Sequence, residues 1–406
     1  MRLLLIPLSG IVTVSTAHLI TNRFGVEEFA NLSIILALSA LLSFAELGLG
    51  AVILNSIQND DSKNHDYSNT FFKSFFLISA FSLSLVALII ILTKFDLIRN
   101  LLNLKSSGIS SNAVALSLVF LVAGVPFRLG YYLLIANHKS PTVLLLQMLP
   151  SIVTLVLVVL LSSHRGSFST LVIFCNIGNT IASCLSFFWA RRFIPKFASY
   201  RQSKSQKLFQ TSFPFFLVTL FSIVPLRGAP IILSWTASSL QVAQFAVMLT
   251  FLIPALSVIQ YAAPQLWVEF RRIRHDGLST SILLKNSLLI CFGLGVVGAL
   301  ALILLAPRVL QGFITPALVG SNYLYYAFGL FFVVLAVNYP LGMYFSDQSG
   351  LRLQALLTGL TAFTFIPAGI IFSQRFGSVG MVITLLVNLL IMQVIPGLLV
   401  AKKKPR

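Results

Sequence analysis

Runs of about 20 apolar residues recur along the whole chain with only short polar breaks between them, and that recurrence constrains the fold more than any single motif does. A helix of about 20 residues crosses the hydrocarbon core of a bilayer. The runs lie at roughly 3–21, 30–56, 71–93, 113–135, 142–163, 169–190, 208–234, 241–266, 286–306, 322–345, 353–373 and 379–401. They predict an all-α polytopic membrane protein of about twelve transmembrane helices. Barrel strands would be shorter and would alternate in polarity. With 57% hydrophobic and 9% charged residues in 406, the chain carries more apolar surface than a water-soluble globule of this size could hide. The first run follows Arg2 and has no small-x-small cleavage site before Thr21-Asn22-Arg23, so it reads as an uncleaved span.

The net charge of +18 is spread over short loops and is not gathered into a domain-sized patch, which argues against nucleic acid as a partner. Nineteen Lys and Arg fall in the N-terminus, every second loop and the tail, among them Arg191, Arg192, Arg271, Arg272 and Lys402, while seven, such as Arg23 and Arg308, fall in the other loops. The positive-inside rule then places both termini in the cytoplasm. The remaining two, Arg128 and Arg227, lie inside spans.

No loop is long enough to fold alone, the largest being the basic connector Ala190 to Lys207. The predicted domains are an N-terminal six-helix lobe (1–190), a cytoplasmic connector (191–207) and a C-terminal six-helix lobe with a basic tail (208–406). Weak self-similarity relates the halves. Gly25-Val26-Glu27-Glu28-Phe29-Ala30 is echoed 216 residues later by Gln241-Val242-Ala243-Gln244-Phe245-Ala246. Leu129-Gly130-Tyr131-Tyr132 matches Leu341-Gly342-Met343-Tyr344 at an offset of 212, and Gly166-Ser167 matches Gly377-Ser378 at 211. Halves with an even number of spans face the same way, so the expected pseudo-two-fold axis runs along the membrane normal, as in transporters that rock two lobes around a cavity.

Ions inside a span are costly and are therefore the first functional candidates. Glu46, in Ala45-Glu46-Leu47-Gly48-Leu49-Gly50, suits a proton or cation site or an ion pair with an arginine. Arg128 follows Pro126 and precedes Gly130, Tyr131 and Tyr132, where a kink and a small residue open space beside a guanidinium and two aromatic faces; its other course is to snorkel to the nearby helix end. Arg227 sits in Pro225-Leu226-Arg227-Gly228-Ala229-Pro230, which predicts a bent or unwound helix. With Pro214, Pro254 and Pro264 nearby in sequence, the seventh and eighth spans have the makings of a gate. A planar guanidinium fork suits phosphate better than lysine does.

The other polar residues read more plainly. Tyr323, Tyr325, Tyr326, Trp189, Trp235 and Trp267 fall near span ends and are expected in interface belts. His18 reads as a packing histidine, the three cysteines as small core hydrophobes, and Asp60-Asp61 as a solvated pair. The chain has no metal-ligand spacing, no nucleophile elbow, no HExxH and no GxxxxGK[ST], so neither a cofactor nor an enzymatic activity is expected.

The loop Asn22-Arg23-Phe24-Gly25-Val26-Glu27-Glu28-Phe29, followed by a helix closing on the acidic-Leu-Gly-Leu-Gly step Glu46 to Gly50, resembles the Wzx-type O-antigen and polysaccharide flippases of the multidrug/oligosaccharidyl-lipid/polysaccharide exporter superfamily. The span number, the six-plus-six repeat and the short loops are similar along essentially the full chain. The resemblance implies transfer of undecaprenyl-diphosphate-linked oligosaccharide, a repeat unit for lipopolysaccharide or related polysaccharide, across the bacterial inner membrane by alternating access. It also implies membrane lipids around the protein, a proton or Na+ gradient as driver in some members, and a polysaccharide polymerase and chain-length regulator as partners. On this resemblance Arg128 and Arg227, with Tyr131 and Tyr132, would contact diphosphate and glycan, and Glu46 would serve coupling. Lys73 and Lys285, near helix ends, would add to a cavity that is sparsely cationic for such a family.

Two rivals follow from the same residues. A cation-coupled multidrug antiporter of this fold would want several buried acids, and Glu46 is the one well inside a span. A membrane polymerase or ligase would want catalytic residues on a long outer loop, whereas about Lys94 to Asn112 holds one acid, Asp96, and no histidine.

Overall fold

The computed structural model describes residues 2–58, 64–104, 109–137, 139–163, 166–195, 208–276, 278–345 and 348–403. Asp60-Asp61, the connector from 196 to 207 and the last three tail residues lie outside them. Among the described residues every regular element is a helix. In chain order these are α1 Arg2–Phe24, α2 Val26–Leu41, α3 Leu49–Gln58, α4 Asn64–Lys94, α5 Leu97–Leu101, α6 Ser111–Gly124, α7 Leu129–Ala136 and α8 Ser140–Ser163. They continue with α9 Phe168–Phe174, α10 Ile177–Trp189, α11 Leu208–Thr236, α12 Ser239–His275, α13 Ser281–Val309, α14 Asn322–Tyr344, α15 Gln348–Leu389 and α16 Ile395–Lys403.

Nine stretches among the described residues are long and apolar enough to cross a bilayer. The last, Gly350–Lys402, turns at Gly377, whose φ of 59° breaks the helix, and so holds two of the predicted runs. Three other runs are helices in two pieces: α2 with α3, α6 with α7, and α9 with α10. Helix starts follow local chemistry. Ser110, Ser167 and Ser238 each cap a first turn, accepting from the backbone N–H of Ala113, Thr170 and Gln241 respectively.

The outward faces are as apolar as the interior. Ile282, Leu289 and Val297 on α13 and Phe363 on α15 are each at least 60% exposed, a surface that water would penalise and lipid does not. Packing between helices relies instead on small residues. A Cβ at Gly295 of α13 would come within 3.1 Å of Val333 Cα on α14, the close approach that glycine permits between membrane helices.

The chain packs as two compact units, one of Met1–Leu5 with Ile34–Leu220 and one of Ile6–Ser33 with Phe221–Arg406. In the second unit His18 stacks on Phe313 at 4.7 Å and meets the Asn22 amide, the arrangement of a packing histidine. Three expectations are corrected. Tyr325 is buried, its hydroxyl accepting from Gly320 N–H at 3.1 Å, and so is not a belt residue like the exposed Tyr323 and Tyr326. Cys184 is exposed, unlike Cys175 and Cys291. Finally, α11 continues as α-helix through Pro225 and Pro230, and α12 through Pro254, without the unwinding that the prolines suggested.

Candidate functional site

The second run is interrupted where its acidic motif lies. A 3-10 segment, Leu42–Glu46, ends α2's trajectory, Leu47 and Gly48 take φ of 54° and 68°, and α3 resumes at Leu49. Glycine occupies the left-handed region at little cost, but for leucine it costs about 1–2 kcal/mol. Leu47 offsets that by packing against the core of Ala45, Leu49, Ile53, Phe71 and Ile78. The break leaves Glu46 at the end of a helical segment.

A second break faces it. Pro126 lacks the N–H that would continue α6, and Val125–Arg128 winds as a 3-10 turn before α7 begins. Arg128 Nη1 donates to Glu46 Oε1 at 3.2 Å, with the two side chains 15% and 17% exposed. One helical turn on, Tyr132 donates its hydroxyl to Glu46 Oε2 at 2.7 Å. Both carboxylate oxygens are thus engaged, and Arg128 turns inward instead of snorkelling.

Glycine makes the geometry possible at two points. A Cβ on Gly50 would fall on the ring of Tyr132, and one on Gly130 would strike the backbone of Ser186 and Phe187. Beside these contacts lies a cavity of about 290 Å³ lined by Glu46, Arg128, Tyr131, Tyr132, Ile135, Gln147, Pro150, Asn179 and Ser183. Four of the residues read as candidates from sequence, Glu46, Arg128, Tyr131 and Tyr132, therefore share one wall.

Gln147, Asn179 and Ser183 were not anticipated. Behind them Asn176, fully buried, donates to Ser39 Oγ at 2.8 Å and Ser117 Oγ at 2.9 Å, and its Oδ1 accepts from Asn179 Nδ2 at 3.3 Å. The sequence signal was the polar series Asn176, Asn179, Thr180, Ser183 and Ser186, running from the cap of α10 along the helix at spacings of three and four within an apolar span.

Arg227 belongs to the second unit. It is half-buried on α11, and among the described residues it makes no hydrogen bond or ion pair. Lys73 is partly buried and Lys285 is exposed; neither lines the cavity. Among the described residues no cluster of His, Cys, Asp and Glu could hold a metal.

A family model described as polysaccharide biosynthesis protein matches residues 5–264. No curated protein matches the chain by sequence. Among solved structures, the lipid II flippase MurJ in an inward closed conformation superposes with a TM-score of 0.74 at 17% identity, over 98% of this chain and 87% of that one. An inward-facing multidrug resistance MATE family transporter of the MOP superfamily gives 0.71 at 14%, over 97% and 95%. A MATE protein in the bent conformation gives 0.67 at 14%, over 98% and 93%. At such identities the likeness establishes the fold alone, the one shared by MurJ and the MATE proteins.

Proposed function

The chain belongs to the polysaccharide biosynthesis protein family, and from that premise we propose that it is a flippase. Its substrate is an undecaprenyl-diphosphate-linked O-antigen or related repeat unit, moved from the cytoplasmic to the periplasmic leaflet of the bacterial inner membrane. Both termini face the cytoplasm, in keeping with the bias of Lys and Arg among the loops. Alternating access of an N-terminal and a C-terminal lobe supplies the movement, and the undecaprenyl tail stays in lipid throughout.

The observation that carries this reading is a polar cavity inside an otherwise apolar helical unit, with the Glu46–Arg128 pair on its wall. Lipid-facing helices have no use for such a cavity, and a carrier of a polar headgroup has. Arg227, with no partner among the described residues, serves the diphosphate through its planar fork. Arg128 is free to meet an anion only when Glu46 lets go. Proton or cation uptake at Glu46 would release Arg128, which links an ion gradient to the site's affinity for anion and so gives transport a direction. Tyr131 and Tyr132 face the glycan. A polymerase and a chain-length regulator then act on the delivered unit.

The likeness to MATE transporters favours one rival, cation-coupled multidrug export. Against it, the cavity's one carboxylate is already held by Arg128 and Tyr132, leaving an organic cation no free counter-charge there. The test is surface-polysaccharide display in cells lacking the gene, with lipid-linked repeat units assayed on each membrane face. Loss of polymer with intact units trapped on the cytoplasmic side is the expected result. Normal polymer in cells without a redundant flippase rejects the reading.

A further inference from the structure

We propose that, with Glu46 and Arg128 paired, the cavity beside them is a subsite for one pyranose ring of the substrate, read through Gln147, Asn179 and Ser183, and is not the seat of the diphosphate. The proposal rests on the flippase reading and divides the substrate between two places.

Charge gives the first reason. The one carboxylate and the one guanidinium lining the cavity are 3.2 Å apart and neutralise each other. A diphosphate entering this space would meet the Glu46 carboxylate at close range in a medium of low dielectric, and a cation would meet Arg128. A neutral ligand meets neither penalty.

The remaining lining chemistry gives the second. Amides and hydroxyls both donate and accept, as sugar hydroxyls do. Gln147 has no hydrogen bond to any described residue and is exposed on α8, where its outward neighbours Leu145 and Ile152 are apolar. An amide left in lipid would be costly, so its place is the cavity. Asn179 uses one N–H on Asn176, itself tied to Ser39 and Ser117, which orients the amide and leaves the rest of it for a ligand. Ser183 donates its hydroxyl to Asn179 O at 2.7 Å, which leaves its oxygen to accept. Tyr131, Pro150 and Ile135 supply the apolar surface that the C–H face of a pyranose requires.

Size gives the third. About 290 Å³ is enough for one pyranose with its substituents.

The test uses the full-length protein in lipid nanodiscs. Its dissociation constants are measured for undecaprenyl diphosphate, bare and carrying a single glucose, galactose or N-acetylglucosamine. At least one sugar should tighten binding about tenfold, the worth of two modest hydrogen bonds. Gln147→Ala/Asn179→Ala should erase that increment and leave affinity for the bare lipid within about twofold. Gln147→Ala alone, at an exposed position with no packing role, should lose part of it. If no sugar tightens binding, if the double variant keeps the increment, or if it weakens bare and glycosylated lipid alike, the subsite is overturned while the flippase reading stands. Should the wild type bind none of these lipids, the flippase reading fails and takes the subsite with it.

Discussion

Gly50 lies under the ring of Tyr132, so close that a Cβ on Gly50 would overlap the ring atoms. The contact fixes where the phenol goes, and the phenol in turn holds Glu46 Oε2. Gly50→Ala should therefore push the ring away and break a hydrogen bond that Tyr132→Phe also removes. Surface polysaccharide at matched, low expression should fall in both variants, at least as far in Gly50→Ala. The crowding should also lower unfolding stability by about 1–3 kcal/mol. Full display from Gly50→Ala would show that the position of Tyr132 is immaterial to transport.

The Glu46–Arg128 pair makes a second prediction through its interdependence. Either residue alone leaves an uncompensated charge or polar group in the membrane, whereas losing both does not. Glu46→Gln and Arg128→Gln should each destabilise by roughly 2 kcal/mol, and the double variant by less than the sum. Thermal unfolding in detergent measures this cycle, and additive effects would mean that the pair does not couple. In transport, a proton gradient should speed the wild type and leave Glu46→Gln unmoved. An equal response in both would remove Glu46 from coupling.

How much of this was legible beforehand depends on the range of the signal. The helices could be read because a 20-residue apolar run is local and lipid imposes it. Glu46 and Arg128 could be read as candidates because charges inside spans are rare, and an ion pair of Glu46 with an arginine was one reading, yet nothing in sequence chose Arg128, 82 residues away, over Arg227. Gln147, Asn179 and Ser183 escaped because polar uncharged residues are tolerated in spans. Only the spacing on α10, together with the packing of α8 against it, turns them into a wall. The prolines of α11 pointed to a bend or to unwinding, and the unwinding does not occur, since a membrane helix can accommodate proline without it.

Two glycines separate packing from mere helix propensity. A Cβ on Gly130 would strike the backbone of Ser186 and Phe187, which cannot rotate out of the way, whereas Gly228 has nothing within 4 Å. Gly130→Ala should destabilise by about 1–3 kcal/mol as α7 and the end of α10 separate. Gly228→Ala should be neutral or gain up to about 1 kcal/mol from helix propensity. Unfolding midpoints of the two variants check the contrast, and equal shifts would contradict the close approach of the two helices.

Asn176 is the node behind the cavity, with three side-chain partners from three stretches of chain. Asn176→Ala should cost about 1–3 kcal/mol, because buried groups lose partners that water does not replace. Asn176→Leu, which fills the volume, should recover little. If leucine restores the wild-type midpoint, packing and not hydrogen bonding is what Asn176 contributes.

Arg227 offers the sharpest separation of function from stability. A half-buried guanidinium in a membrane helix with no partner among the described residues has nothing there to offset its desolvation. Arg227→Met should keep the helix, relieve that cost and raise stability by about 1–2 kcal/mol, while abolishing polysaccharide display. Arg227→Lys keeps the charge but not the planar fork, and should support display poorly at matched, low expression. Wild-type display from the lysine variant would reject the bidentate contact with diphosphate. A methionine variant that unfolds more easily than wild type would make Arg227 a structural residue, because only a group already serving the fold is missed when no substrate is bound.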